Sequence, residues 1–259
     1  MQLPIMTFNI QHGVDYKKRL AEPDRYSDFE LIDLPLMAKA IRDLGAVIVG
    51  LNEVRDVLPD VSDPCFVPQA KALAEAAGFE YYHFGHAIDI AGKGRYGNGL
   101  ISKYPFRSVE TIMVPDPVEK EPDGAHFETR CLIKAVIEVP DEATGETKAL
   151  TVLVTHMGLN PSEARNAVQT ALDQLEPGQP TILMGDFNLT PDSETIAPLF
   201  EKYQDAAVLL PVGTNTFPSE DPIKKIDYIM CAGPVKFVKA EVPAVVASDH
   251  RPHTAEIEF

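Results

Sequence analysis

A set of polar residues in this 259-residue chain occupies one kind of place, the end of an apolar run or the start of the next. Met6-Thr7-Phe8 leads to Asn9, Val47-Ile48-Val49-Gly50-Leu51 to Asn52 and Glu53, and Leu153-Val154-Thr155 to His156. Ile182-Leu183-Met184-Gly185 leads to Asp186 and Asn188, Ile226 precedes Asp227, and Ser248-Asp249-His250 introduces the last apolar run. Carboxylates, amides and imidazoles at strand ends stand on rigid supports, where partial exclusion of water strengthens each electrostatic contact. Buried without partners they are costly, so this many together implies that they meet each other, a metal or a ligand. Singly, each has a plainer reading. Glu53 is equally a capping or surface carboxylate and His156 a satisfied core histidine. Asp186-Phe187-Asn188 before Thr190-Pro191 reads as an Asx-type turn, and Asp249-His250 as a turn before an edge strand.

The elements that must hold these residues are readable from periodicity. Apolar residues at helical spacing run from Leu36 to Leu44 and stop at Gly45, Pro68 to Ala77 stops at Gly78, and Ser162 is the expected cap of a helix reaching Leu175. Strands are predicted at Leu3–Asn9, Val47–Glu53, Glu80–Ile88, Gly99–Ser102, Ser108–Val114, Leu132–Val139, Ala149–His156, Thr181–Asp186, Ile226–Met230, Val235–Val242 and Thr254–Phe259. That is too much β for a doubly wound sheet. Runs such as Leu150-Thr151-Val152-Leu153-Val154 and Thr181-Ile182-Leu183-Met184 are almost continuously apolar, as in strands covered on both faces. The expectation is a layered α/β fold, an α/β/β/α sandwich of two packed sheets with helices outside, formed as a single domain over residues 1–259.

Taken as an ordered series, the motifs carry more. Thr7-Phe8-Asn9-Ile10, Leu51-Asn52-Glu53-Val54, Gly97-Asn98-Gly99-Leu100-Ile101-Ser102-Lys103-Tyr104-Pro105, Thr155-His156-Met157-Gly158-Leu159, Gly185-Asp186-Phe187-Asn188, Ile226-Asp227-Tyr228-Ile229 and Ser248-Asp249-His250-Arg251-Pro252 closely resemble the successive motifs of the endonuclease/exonuclease/phosphatase superfamily, which has the fold of pancreatic deoxyribonuclease. The resemblance runs from residue 7 to 252 and implies the four-layer α/β/β/α sandwich of two mixed β-sheets. It also implies roles. Glu53 would be the principal ligand of one Mg²⁺ or Mn²⁺ ion, with Asn9 and Asp249 close to it directly or through water. Asp186 would orient and deprotonate the attacking water, and Asn188 would hold water or a phosphoryl oxygen. His250, oriented by Asp227, and His156 would bond phosphoryl oxygens, the His/Asp pair acting either as base or as electrostatic clamp. Asn98 would contact phosphate. Arg130 stands where relatives often carry an arginine, though a surface salt bridge is an equal reading. Two departures stand out: Gln11 replaces an aspartate common in nucleases, which puts a second metal in doubt, and Asn52 replaces the commoner glutamine, a change expected to matter little.

Composition narrows the substrate. A net charge of −16 repels polyanions, whereas nucleic-acid binders present a basic face. The chain has no tryptophan and no evident aromatic-plus-basic strip, and Lys93 with Arg95 among glycines is the best local basic patch. Three cysteines, Cys65, Cys131 and Cys231, show no metal-ligand spacing and fit a reduced, cytoplasmic protein. Met1–Ile10 lacks the basic start and cleavage site of a secretory signal, and no apolar run is long enough to span a bilayer. The expected function is metal-dependent hydrolysis of a phosphomonoester or phosphodiester, on a small or lipid-like substrate. A DNA or RNA endonuclease or exonuclease is the alternative, and a non-catalytic binding protein on the same fold a second. Substrate selection is expected in the connections Asp15–Asp33, Val57–Phe66 and Asp116–His126.

Overall fold

A computed structural model describes residues 2–57, 67–90, 94–118, 127–141 and 143–259. Cys65, Lys93 and most of the connections expected at Val57–Phe66 and Asp116–His126 lie outside them. In chain order the elements are β1 (Gln2–Asn9), α1 (Tyr16–Ala21), α2 (Leu34–Leu44), β2 (Ile48–Asp56), α3 (Gln69–Ala77), β3 (Tyr81–Ile90), β4 (Gly94–Ser102), β5 (Phe106–Met113), β6 (Cys131–Asp141), β7 (Glu146–His156), α4 (Pro161–Asp173), β8 (Thr181–Asp186), α5 (Ala197–Phe200), β9 (Gln204–Asp205), β10 (Asp227–Ala232), β11 (Lys236–Glu241) and β12 (His253–Glu258).

They form two mixed six-stranded sheets, ordered β11-β12-β1-β2-β4-β3 and β5-β6-β7-β8-β10-β9. Alternation along each strand sends one set of side chains between the sheets and the other outward. Leu3, Ile5, Ile48 and Leu100 of the first sheet meet Ile133, Val152, Ile182 and Ile229 of the second in one apolar layer. Met6, Phe8, Val49 and Leu51 point the other way, onto Met37 and Ile41 of α2 and Leu73 of α3. Leu153, Leu183 and Met230 face outward onto Ala167 and Ala171 of α4 and Leu199 of α5. This is the four-layer sandwich expected from the motifs.

Three local expectations are corrected. The cap of α4 is Asn160, whose side-chain oxygen accepts from the Ser162 amide, so Ser162 is already inside the helix. The connection Asp15–Asp33 holds a short helix, α1, capped by Asp15. The third concerns β4, which begins at Gly94 rather than Gly99, so Arg95 is a strand residue opposite Asp56 and Asp89 and not part of a loop patch. Glycine here signals close approach: a Cβ on Gly97 would stand 1.9 Å from the Gly85 carbonyl oxygen of the neighbouring strand. Cys131 and Cys231 are buried free thiols, and among the described residues no helix is long and apolar enough to cross a membrane.

Topology brings the polar strand ends to one rim. β1 and β2 are parallel, with Asn9 beside Asn52, and β7 and β8 are parallel, with His156 beside Asp186. β10 runs antiparallel to β8 and starts with Asp227 opposite Asp186, while β12 starts with His253 opposite Thr7. His253 is fully buried behind that rim, and burial, reinforced by the charge of Lys225, pushes its pKa down to about 4. The folded state therefore refuses a proton that the unfolded chain accepts below its ordinary pKa near 6.5, and stability falls as pH drops from about 6.5 to 4. His253→Leu should flatten that slope, so that its Tm relative to the parent rises between pH 7 and pH 5. An unchanged difference in Tm across that range would disprove the burial argument.

Candidate active site

Backbone irregularities at the rim aim the side chains. The pairing of β2 with β4 shifts register between Leu51 and Val54, and within this bulge Glu53 takes a left-handed φ of 56°. A bulge re-aims side chains that strict alternation would send to opposite faces. Asn52 thereby enters the space between the sheets, whereas Glu53, with 22 % of its side chain exposed, opens onto a cleft. Among the described residues the other non-glycine residues with positive φ are Gln11, His12 and Asn188, all at this rim. Such conformations cost free energy and persist where surrounding contacts enforce them, often at functional sites. Gly185 has φ 145°, and a Cβ there would lie 1.8 Å from the Thr155 carbonyl oxygen, so only glycine can precede Asp186.

Asp186 is the hub. Its Oδ2 accepts from the Asn9 amide at 3.0 Å and lies 3.6 Å from Nε2 of both His156 and His250, while Oδ1 accepts from the Asn188 backbone at 2.9 Å. Burial, helped by the charge of Asp227 and opposed by His250, holds its carboxyl above the usual range. His250 Nδ1 bonds Asp227 Oδ2 at 2.9 Å. Burial alone would lower the His250 pKa, but the charges of Asp227 and Asp186 outweigh it and raise the imidazole well above its ordinary value, so at neutral pH it carries both protons.

His156 is in the opposite state. Burial and the adjacent Arg130 charge hold it well below its ordinary pKa, so it is neutral. Arg130 Nη1 sits 3.1 Å from Nδ1 and Asn188 Nδ2 3.0 Å from Nε2, so both ring nitrogens face a donor and the neutral ring can accept from one of them. Asn188 also donates to the Met157 carbonyl at 3.0 Å. Arg130 is not a surface residue: it is buried at the start of β6 and pairs with Glu128 at 2.8 Å.

Asn9, Asn98 and Asn52 serve as braces. The Asn9 amide nitrogen reaches Glu53 at 3.1 Å as well as Asp186, and its oxygen accepts from the Gln11 amide, so it is the NH₂ end that meets the carboxylates. Asn98 is buried away from the cleft, donating to the Cys131 carbonyl and accepting from Asn52, which leaves it no direct reach to a ligand. Asn52 bridges the sheets, donating to Asn98 Oδ1 at 2.9 Å and the Thr155 carbonyl at 3.0 Å and accepting from the Asp186 amide at 2.8 Å. The expectation that this residue matters little is not what these contacts indicate. Asn52→Ala would strand three buried partners, and we expect a loss of about 3 kcal/mol, seen as a Tm lower by roughly 10 °C. A Tm within a degree or two of the parent would refute the bracing role.

The cleft has a volume of about 780 Å³ and is lined by Glu53, His156, Asp186, Asn188, Asp249 and His250, with Arg130 and Tyr96 at its side. Asn9, Asn98 and Asp227 stand behind its surface. His12, not singled out by the motifs, places Nδ1 3.6 Å from Glu53 Oε2. Burial would raise the Glu53 pKa, but the neighbouring His12 ring and a hydrogen bond from the Asn9 amide hold it well below the usual carboxylate range, so Glu53 is ionised. Asp249 is pushed up to about 6 by burial and by the charge of Glu53. Glu53 and Asp249 both line this polar cleft, and two carboxylates there are a donor set that could hold a hard divalent cation. Asp186, Asp227 and His250 also bring ligand atoms within 4.8 Å of one another. Those atoms are already committed, His250 to Asp227 and Asp186 to Asn9 and Asn188, so Glu53 and Asp249 are the freer carboxylates of the cleft.

Comparison with known proteins agrees with this geometry. The model of the Endonuclease/Exonuclease/phosphatase family matches residues 6–250. No curated protein sequence matches. Among solved structures, an endonuclease/exonuclease/phosphatase from Beutenbergia cavernae is similar at 23 % identity and a TM-score of 0.75, over 100 % of this chain and 72 % of that one. One from Bacteroides vulgatus is 21 % identical with a TM-score of 0.73, over 100 % and 99 %. A mannosyl-6-phosphatase from Bacteroides thetaiotaomicron is 17 % identical with a TM-score of 0.71, over 99 % and 100 %.

Proposed function

The chain belongs to the endonuclease/exonuclease/phosphatase family, and on that premise we propose that it is a divalent-metal-dependent phosphoesterase acting on a small or lipid-like phosphate ester. Members of this family hydrolyse phosphate esters. The observation that carries the reading is the Asp186 carboxylate, braced by Asn9 and the Asn188 amide and flanked by two imidazoles of opposite charge state at the mouth of the cleft.

A Mg²⁺ or Mn²⁺ ion held by Glu53 and Asp249 would supply charge neutralisation on the phosphate and on the departing oxygen. The residues of the chain do the rest. Asp186, with its pKa raised toward neutrality, is matched to take a proton from an attacking water. Its position between Asn9 and Asn188 holds the carboxylate in one orientation. His250 already carries both protons, so it serves as a donor to phosphoryl oxygens rather than as a base, with Asp227 fixing its ring. Neutral His156 stands on the other side of the same carboxylate, 3.6 Å from it, held between Arg130 and Asn188. Among the two roles open to the His/Asp pair, these charge states favour the electrostatic clamp.

The net charge and the scarcity of cations along the cleft argue for a compact substrate over a polynucleotide, which needs several basic contacts to displace counterions. The similarity to a mannosyl-6-phosphatase supports a small-molecule phosphate. The test compares p-nitrophenyl phosphate, bis(p-nitrophenyl) phosphate and supercoiled plasmid, each with Mg²⁺, Mn²⁺ or chelator. Metal-dependent turnover of the small esters exceeding plasmid cleavage is the expected result. Plasmid cleavage alone, falling steeply with salt, would support the nuclease reading. No turnover under any condition would favour a binding protein on this fold.

A further inference from the structure

We infer that Lys224, in the wall of the cleft, recognises a second anionic group, a carboxylate or a further phosphate, on the alcohol portion of the substrate. The inference rests on the phosphoesterase reading and adds to it the substrate class. Three observations carry it. First, the cleft is far larger than a phosphoryl group, and beyond the reacting residues its wall mixes Leu159, Leu189, Phe217 and Ile226 with the hydroxyls of Thr190 and Ser193. Second, Lys224 stands in that wall. Among the described residues it is in no ion pair, whereas Arg130, the other strong cation of the cleft, is neutralised by Glu128 and spent on His156. Lys224 is exposed, so its attraction for an anion is that of a partly screened pair.

Third, Lys224 is placed by a braced strap. The amides of Thr216 and Phe217 both donate to the Lys224 carbonyl, at 2.8 and 3.0 Å, and the Lys224 amide donates to the Phe217 carbonyl at 2.9 Å. The strap is tied to the catalytic segment: the Ser219 amide donates to the Asp249 carbonyl at 2.7 Å and the Arg251 amide to the Thr216 carbonyl at 2.8 Å. The Phe217 ring lies 4.8 Å from the His250 ring. The backbone of Lys224 is therefore held at a set remove from the reacting phosphate, which is what a subsite reading a substituent requires. Elsewhere the cleft repels a second negative charge through Glu53, Glu128 and Asp249, so a dianionic substrate has one favourable orientation.

Binding of non-hydrolysable phosphonates tests this without turnover. Propyl- and butylphosphonate are compared by calorimetry, in millimolar Mg²⁺, with 3-phosphonopropionate, 4-phosphonobutyrate and propylene-1,3-bisphosphonate. At the best-fitting length the second anion should tighten binding by about threefold to tenfold, the size of a partly exposed ion pair, and the carboxylate and bisphosphonate arms identify which anion is read. In Lys224→Met the ratio of the dianionic to the simple ligand should fall to about one, and Lys224→Arg should keep it above one. A ratio of one in the parent at every length, a preference that survives in Lys224→Met, or no binding of either series overturns the inference. Hydrolysis of p-nitrophenyl phosphate, measured separately, decides the phosphoesterase reading, so the two can fail independently.

Discussion

Asp186→Asn should lower kcat by about 10³-fold or more while making the metal-free protein more stable above neutral pH. The catalytic part follows from geometry: the amide keeps the shape, but its one oxygen can accept from either Asn9 or the Asn188 backbone and not from both, and it cannot take a proton. The stability part follows from the raised pKa. Burial favours the protonated carboxyl in the folded state, so the stability Asp186 contributes is fully present below its unfolded pKa and is lost as pH rises through the higher folded one. Asparagine has no such loss. In chelator, the Tm of the variant relative to the parent should therefore climb from pH 4 to pH 8, the usual relation between an active site and the stability it sacrifices. Retained activity would remove Asp186 from the mechanism. A Tm difference independent of pH would mean that the carboxyl is not held above its ordinary range.

Glu53→Gln carries the second large effect. The substitution keeps size and hydrogen-bonding capacity but deletes the charge that most directly faces the expected cation. We expect about a 10³-fold loss of metal-dependent turnover, and a second readout that needs no substrate. A ligand that binds only the folded state raises Tm with its concentration, so Mg²⁺ should stabilise the parent and leave Glu53→Gln unmoved. Because the charge of Glu53 helps to push Asp249 up to about 6, after burial as the larger cause, Asp249 should also titrate lower in the variant, which carboxyl-carbon NMR would detect. An unchanged Mg²⁺ shift in Glu53→Gln would move the cation site elsewhere, and the Asp186, Asp227 and His250 group would then be the place to look.

Much of this site was legible before any coordinates, because strand ends are local events. Asn9, Glu53, His156, Asp186 and Asp227 each close or open an apolar run, and parallel pairing of β1 with β2 and β7 with β8 aligns such ends side by side. What local pattern misread was the business of glycines and buried polar groups. The stretch Gly94–Asn98 looks like a loop in isolation and is a strand because β2 and β3 approach it from both sides. Asn52 looked like a minor substitution and joins the two sheets. Arg130 was read equally as a surface salt bridge and is buried. His12 carried no signal beyond its nearness to Asn9, and its place beside Glu53 depends on the left-handed turn at Gln11 and His12.

By itself the sequence determined which residues are polar at apolar ends, in what order they occur and hence the family, since periodicity and motif order are written in neighbouring residues. Only the tertiary structure decided which polar atoms face the cleft and which face one another. It set the different charge states of His156 and His250, turned Asn9 and Asn98 from expected ligand contacts into braces, and brought Lys224 to the cleft. The reason is physical: a side chain's protonation and orientation depend on burial and on charges brought from other elements, Arg130 to His156 and Asp227 to His250, and neither is a property of the local chain.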